Sequence, residues 1–391
     1  MTNLPQGWEV KKLGEIGEIV TGSTPSKSNL DFYGKDYPFF KPSDFEQGYF
    51  LENAGDNLSK LGFDKARQLP PKTILVVCIG SLGKVALTRV IGSCNQQINA
   101  IIPHKNIIAE YIYYYCISSK FQSILFSKAP QTTLAILNKT EFSKLEIIYP
   151  KDIKEQERIV RILDESFANI DESIKILEQD LLNLDELMQS ALQKAFNPLK
   201  DNAKENYKLP QGWEWKSLEE ISENISAGGD KPKNCTESKT AKNQIPVYAN
   251  GVNNNGLVGY TDKATIIKPS LTISARGTIG FVCIRKEPYF PIVRLISLIP
   301  CENILCLHYL YFCLNFFIAK GEGSSIPQLT IPKFKSLQIP LPPLKEQEQI
   351  AKHLDFVFEK TKALKELYTK ELKDYEELKQ SLLNKAFKGE L

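Results

Sequence analysis

This chain is written twice, and any fold it adopts has to carry the duplication. LPQGWEVKKLGEI at residues 4–16 returns as LPQGWEWKSLEEI at 209–221, identical at ten of thirteen positions. KEQERIVRILDESF (154–167) returns as KEQEQIAKHLDFVF (345–358), and SALQKAF (190–196) as SLLNKAF (381–387), both at an offset of 191. The closing segments therefore match in length without a gap. The openings lie 205 residues apart, so the second middle is 14 residues shorter than the first. The plan is a constant opening, a variable middle and a constant close, performed twice, and 391 residues suit two domains with connecting helices.

The constant close reads as a long helix. Val160, Leu163, Phe167, Ile170, Ile174, Leu177, Leu181, Leu184 and Met188 alternate steps of three and four, the seam of a coiled coil. The second copy gives Ile350, Leu354, Val357, Thr361, Leu364, Tyr368, Glu371, Tyr375, Leu378 and Leu382 on the same spacing, with Thr361 and Glu371 as weak members. Each stretch of 43 residues would be ~65 Å long as a helix. One such helix alone leaves its seam wet, so the simplest solution is an intramolecular pair. The alternative is that each helix packs on its own domain.

The middles are β-rich. KTILVVCIG, KVALTRVI and NAIIP in the first, and ATIIK, SLTISARGTIGFVCI and RLISLIP in the second, are short runs separated by Gly, Pro and Asn. A helical patch follows each, AEYIYYYCISSKFQSILF and CLHYLYFCLNFFIAK. Each middle is expected to be a mixed α/β domain of the α+β type with a curled, largely antiparallel sheet. The predicted divisions are a domain over 1–150, a long helix over 151–200, a domain over 201–343 and a second long helix over 344–391. A skeleton recurs inside the middles too: Gly80-Ser-Leu-Gly83 answers Gly277-Thr-Ile-Gly280, and Pro103 answers Pro300, at an offset of 197.

Charge sorts along this plan. Residues 1–150 hold 16 Lys and Arg against 13 Asp and Glu, and residues 207–344 hold 15 against 10. The connecting segment 151–206 holds 8 against 13, and 345–391 holds 10 of each. The variable domains are basic and the first helix acidic, the distribution expected where phosphate attraction is concentrated at the contact surface. The N-terminus lacks a basic segment followed by an apolar run, and the longest apolar stretch, near Cys306–Phe317, is broken by His308 and Asn315. The eight cysteines sit mostly within apolar strings and read as reduced core residues of a cytoplasmic protein. Cys301, Cys306 and His308 form no C-x-x-C knuckle, so packing is the expected role over zinc.

The chain resembles the specificity subunit of Type I restriction-modification systems, and the resemblance covers essentially all of it. It is carried by the LPQGW openings with Trp8 and Trp213, by Thr21-Gly-Ser-Thr-Pro25 followed by Tyr37-Pro-Phe-Phe-Lys41, and by the Gly-x-x-Gly turns. The most specific features are the Glu-Gln-Glu segments opening each long helix, Pro150–Glu157 and Pro342–Glu348. The resemblance implies two target recognition domains, each reading a few base pairs of a bipartite double-stranded DNA site, held apart by two antiparallel helices. It implies a chain without catalysis or cofactor of its own. Two modification subunits would bind S-adenosylmethionine and methylate adenine at N6, and restriction subunits would use ATP and Mg.

The residues agree that catalysis lies elsewhere. Neither Leu-Pro-Pro-Lys (69–72) nor Leu-Pro-Pro-Leu (341–344) fits the [DNS]-P-P-[YFW] tetrapeptide of an adenine methyltransferase. No G-x-G-x-x-G follows a strand, and Gly83-Lys84 lacks the remaining parts of a phosphate loop. Three histidines leave little material for a nucleophilic site.

Arg and Lys suit guanine, and Asn and Gln suit adenine, because their paired groups match the major-groove pattern. In the first domain the candidates beside predicted turns are Lys41, Ser43, Lys84, Arg89, Asn95, Gln96 and Gln97. In the second they are Asn250, Asn253, Asn254 and Asn255 of YANGVNNNG, and Arg276 and Thr278 of SARGTIG. An Asn/Gly string is equally the mark of a tight turn. Lys231, Lys233 and Lys268 are expected to touch phosphate, which positions without specifying. A pseudo-twofold would set half-site centres about 34–36 Å apart. Two other readings compete: a coiled-coil assembly protein with protein-binding domains and no DNA sequence preference, and a nuclease built around Asp44 of Pro42-Ser-Asp44.

Overall fold

Why the two constant segments of each half travel together is answered by their pairing. The structure, a computed structural model, describes residues 4–129, 135–196, 209–318, 321–322 and 329–391. Strand β1 (Trp8–Lys12) pairs antiparallel with β10 (Glu146–Pro150), Trp8 opposite Pro150, and β10 runs directly into the long helix Ile153–Phe196. In the second half β11 (Glu214–Ser217) pairs in the same way with β21 (Gln338–Leu341), which leads into the helix Leu344–Ala386. The LPQGW opening is a tight turn in both copies, closed by Trp8 N to Pro5 O (3.1 Å) and Trp213 N to Pro210 O (3.0 Å). Gly7 and Gly212 occupy its third position at φ +84° and +87°, where a side chain would be strained.

The described chain divides into two compact units, Met1–Glu178 with Thr369–Leu391, and Gln179–Tyr368. In the first unit the remaining strands are β2 (Gly17–Thr21), β3 (Tyr33–Phe40), β4 (Phe50–Leu51), β5 (Asp56–Leu58), β6 (Ile74–Val77), β7 (Val85–Thr88), β8 (Ser93–Cys94) and β9 (Ile98–Pro103). They form an open sheet in the order β2-β9-β6-β7-β4 and a smaller one in the order β5-β3-β8. In the second unit the strands are β12 (Ser222–Ala227), β13 (Ile245–Tyr248), β14 (Leu257–Thr261), β15 (Ser270–Ile273), β16 (Thr278–Ile279), β17 (Val282–Arg285), β18 (Phe290–Pro291), β19 (Ile296–Pro300) and β20 (Gly321–Glu322). The orders β12-β19-β15-β17 and β14-β13-β18 repeat those of the first unit, except that no strand among the described residues answers β4 and that β16 and β20 pair separately. Pairing is antiparallel except for β3–β8, β4–β7 and β13–β18. The duplication therefore extends through middles whose sequences have diverged.

The helical patches pack on these sheets. Ala109–Ile117 and Leu307–Phe317 bury Tyr111 and Tyr309, whose hydroxyls donate to Ile148 O (2.9 Å) and Pro340 O (2.7 Å) on β10 and β21. A buried tyrosine needs such a partner for its one polar atom. Each long helix also plants a fully buried glutamine against its own domain. Gln156 Oε1 accepts from Ile108 N (3.0 Å) while its Nε2 donates to Pro150 O (2.9 Å) and Asn106 O (3.4 Å). Gln347 Oε1 accepts from Cys306 N (2.9 Å) while its Nε2 donates to Pro342 O (2.8 Å) and Ile304 O (2.9 Å). Only an amide of this length offers both an acceptor and two donors there, which accounts for the central residue of each Glu-Gln-Glu.

The helix seam is antiparallel. In the first unit Val160, Leu163 and Phe167 share a core with Leu382, Leu383, Ala386 and Phe387; in the second Ala191, Leu192 and Phe196 share one with Ala351 and Leu354. All nine seam residues read from the first helix, Val160 through Met188, lie on its buried or half-buried face. The second helix departs from the expected seam at two of its ten positions. Leu364 and Leu378, expected inside, are 39% and 45% exposed. The inward face follows Ala351, Leu354, Phe358, Thr361, Lys365, Tyr368, Leu372, Tyr375, Lys379 and Leu382. Ile350 and Val357, beside it, are half-buried.

Two lysines thus take apolar places, and each meets an acid of the other helix: Lys365 pairs with Asp185, and Lys379 with Asp171 at 2.5 Å. Thr361, an expected weak member, is buried with its hydroxyl on Val357 O (2.8 Å).

Candidate nucleic-acid interface

Strand direction gathers four loops at one end of each sheet. In the first unit these follow β2, β3 and β6 and precede β9. Gly22 N donates to Ile98 O (3.1 Å), Ser23 N to Cys94 O (3.0 Å), Asn95 N to Phe40 O (3.1 Å) and Cys78 N to Gln97 O (2.8 Å). The second unit knits the matching loops with matching bonds: Gly228 N to Leu295 O (2.8 Å), and Ile292 N to Tyr248 O (2.8 Å). Gly22 and Gly228 are fixed by closeness, since a Cβ would stand 2.1 Å from Asn95 O in one and 2.6 Å from Ile292 N in the other. The backbone of this loop bundle is common to both units, and its side chains are not.

In the first unit, Lys41 starts the short 3-10 helix Pro42–Gln47, pairs with Asp56 and lies 5.9 Å from the Phe39 ring centre. Ser43 is exposed on that turn. Lys84 closes the Gly80–Gly83 turn and pairs with Glu46 at 2.6 Å, holding that carboxyl below the usual carboxylate range. Asn95 is buried and turned inward, donating to Gln97 Oε1 (2.8 Å) and accepting from Gln97 N (3.1 Å). Gln97 is half-buried with its Nε2 on Ile79 O (3.4 Å). Gln96 is exposed, and its Oε1 accepts from Thr24 (2.5 Å). Arg89 stands apart: it follows β7 at the opposite end of the sheet, 3.6 Å above the Phe50 ring and 3.0 Å from Glu52.

In the second unit Asn250 has both sides of its amide engaged, Nδ2 donating to Val293 O (2.6 Å) and Oδ1 accepting from Ala275 N (2.8 Å). Asn253, Asn254 and Asn255 are exposed in a turn where Asn254 and Asn255 take φ +48° and +51°, the left-handed angles that asparagine tolerates. Arg276 is exposed at the tip of the loop after β15, and Thr278 behind it is half-buried with its hydroxyl oxygen unpartnered among the described residues. Lys231 and Lys233 are exposed beside the Gly228–Gly229 loop. Lys268 precedes β15, at the far end from Arg276, and pairs with Glu223 at 2.5 Å, which raises its pKa.

Sequence reasoning passed over two arginines. Arg285 is buried, stacked 3.6 Å from the Tyr248 ring, with Nε donating to Thr272 Oγ1 (3.0 Å) and a terminal nitrogen to Asn255 O (2.5 Å), so it braces the asparagine turn from beneath. Arg294 is exposed in the loop between β18 and β19. No local pattern flags it, because PIVRLIS reads as one continuous strand.

Asp44 is engaged by backbone: its carboxylate accepts from Lys41 N (2.7 Å) and Gly55 N (2.9 Å). Among the described residues no group of three or more His, Cys, Asp or Glu is placed to hold a metal ion. His308 Nδ1 lies 2.8 Å from Asp355 Oδ2, and Cys306 gives its amide to Gln347. Burial pushes the Cys78 and Cys94 thiols up to about 12, which keeps them protonated and poorly nucleophilic. Among the described residues no helix is long and apolar enough to cross a membrane.

A family model described as "Type I restriction modification DNA specificity domain" matches residues 5–181 and again 210–374. The HindI specificity subunit of Haemophilus influenzae is 38% identical over 176 residues, a match spanning 44% of this chain and 38% of that relative's length. The MjaIX specificity subunit of Methanocaldococcus jannaschii is 24% identical over 375 residues, spanning 87% of this chain and 84% of the relative. The fold is shared with a solved chain of a type I restriction-modification system (TM-score 0.83, 20% identity, full coverage of both chains). It is shared also with the HsdS subunit from Thermoanaerobacter tengcongensis (TM-score 0.63, 20% identity, 100% and 98% covered).

Proposed function

Because the chain belongs to the Type I restriction-modification DNA specificity family, we propose that it is the target-reading subunit of such a system, one recognition domain to each half of a split, asymmetric DNA site. The observation that carries this is the loop bundle built twice on one backbone plan with different side chains: a common scaffold positions, and the divergent side chains specify. Gln96 and Ser43 in the first unit, and Asn253, Asn254, Asn255, Arg276, Lys231 and Lys233 in the second, are the earlier candidates that stay exposed on that face. Asn95, Asn250 and Gln97 brace its loops. Arg89 and Lys268, at the other end of their sheets, lie off it.

The chain itself is read as non-catalytic and cytoplasmic. Methylation at adenine N6 and ATP-dependent cleavage would belong to modification and restriction partners, which would hold S-adenosylmethionine, ATP and Mg. The paired helices are read as the spacer between the two reading domains.

The test is methylation-sensitive sequencing of DNA from cells expressing this chain with a neighbouring modification subunit, beside cells lacking this chain. Methyl-adenine confined to a split motif with a fixed unread gap is expected. Unchanged methylation by a complex shown to be assembled and active would refute the proposal in favour of an assembly protein, whose DNA binding would show a salt slope near zero.

A further inference from the structure

The loop between β18 and β19 holds an unusual pair of residues. Val293 and Arg294 stand at φ +52° and +59°, so the four residues 292–295 form a turn with both central positions left-handed, closed by Leu295 N to Ile292 O (3.1 Å). Such a turn favours Asn-Gly, and a β-branched valine there is an outlier. Strain of this kind persists only where the surroundings over-determine it, and here they do. Val293 N donates to Gly229 O and Arg294 N to Gly228 O, both at 2.8 Å, and Asn250 Nδ2 donates to Val293 O at 2.6 Å. Five backbone groups of one turn are thus tied to two neighbouring loops or to each other, and the residue so fixed presents an exposed side chain.

That side chain is a guanidinium with no ion pair among the described residues. Lys41, Lys84, Arg89 and Lys268 each lie against an acid. At the offset of 197 that relates β9 to β19, the first unit has Gln97, with exposed Gln96 before it. The same point of the scaffold therefore carries an amide in one unit and a guanidinium in the other.

We infer that Arg294, held in a strained turn by Asn250, Gly228 and Gly229, reads a guanine of one half-site through the major-groove O6 and N7 acceptors. An arginine on a rigid mount meets both acceptors with its fork, and the rigidity explains why the turn tolerates Val-Arg. The inference rests on the DNA-specificity function proposed above and adds the side chain and the base.

The test uses the complex with its modification subunit and duplexes carrying the methylated motif, each guanine replaced in turn by 7-deazaguanine, which lacks the N7 acceptor. One position is expected to weaken the unsubstituted complex about tenfold, within the range of a lost bidentate contact, and to leave Arg294→Gln indifferent. Methylation sequencing with Arg294→Gln should show that position relaxed, with the other half-site and the gap unchanged. Arg294→Lys separates base from phosphate: the fork that meets O6 and N7 together is lost, so a bidentate base reader loses much of its guanine preference, whereas a phosphate contact survives the exchange. The inference is overturned if every guanine analogue weakens both proteins alike, if methylation falls with the motif intact, or if Arg294→Gln changes nothing. A split motif absent with the unsubstituted chain would instead refute the function, and this assignment with it.

Discussion

Replacing Gln347 by leucine should unlatch the second domain from its long helix. The side chain is fully buried and makes three hydrogen bonds, from Cys306 N (2.9 Å) and to Pro342 O (2.8 Å) and Ile304 O (2.9 Å). Leucine has nearly the same volume, so cavity formation is minor and the change isolates the polar contacts. Three backbone groups left dry at about 1–3 kcal/mol each outweigh the apolar gain of about 1.5–3 kcal/mol. A net loss of roughly 2–5 kcal/mol is expected, a large share of the 5–15 kcal/mol of a typical domain. Urea denaturation followed by circular dichroism measures it, and hydrogen exchange at the Cys306 amide localises it. Gln156→Leu should match it, since the same three kinds of bond are lost. The exposed neighbour Glu348→Gln should stay within about 0.5 kcal/mol. A Gln347→Leu protein within about 0.5 kcal/mol of the original, or with the Cys306 amide as protected as before, would refute the latch.

The seam predicts an inversion of ordinary expectation: Leu378→Gln, at 45% exposure, should change stability by less than about 0.5 kcal/mol. Lys379→Ala, which loses the stem over Phe167 and the Asp171 pair, should cost about 1 kcal/mol in the same assay. Partial desolvation raises the pKa of the Asp164 carboxyl, which keeps an exposed edge, against the hydrogen bond donated by Tyr114 (2.5 Å). A raised acid stabilises the fold below its unfolded pKa of about 3.9 and loses that contribution as pH rises through the folded value. Asp164→Asn should therefore be more stable than the original at pH 7, with the advantage gone below about pH 4 in thermal melts; a difference independent of pH would contradict this. Deleting one heptad from both long helices should change the unread gap in the methylated motif and leave the half-sites alone; altered half-sites would end the spacer reading.

The periodic features were legible. Hydrophobic spacing located both long helices to within a few residues, because a 44-residue helix averages over local exceptions. The second seam fails at Leu364 and Leu378, which keep the three-and-four spacing, because the structure turns Lys365 and Lys379 inward, where an acid of the other helix compensates. That compensation cannot be seen one helix at a time. The loop face was legible as a place and much less so as a set of side chains. Asn250 looked like a reader because amides read adenine, but the backbone of two other loops occupies it. Arg294 was hidden because a left-handed turn normally announces itself with Gly or Asn, and this one is enforced by hydrogen bonds from sequence-distant loops.

The first unit joins Met1–Glu178 to Thr369–Leu391. Leu383, Ala386 and Phe387 complete its core, Gln380 and Asn384 hold Ser119, and Arg158 donates to the carbonyl of Leu391 at 3.0 Å. On a ribosome these partners are separated in time. From Glu178 to Leu391 are 213 residues, which at about 5–20 residues per second take roughly 10–40 s to synthesise. For that interval the apolar face around Leu163 and Tyr115 has no cover from its own chain, far longer than the microseconds in which a helix forms. The pace of translation, rather than the equilibrium stability of the sheet, sets how long the first domain must be shielded from other nascent chains.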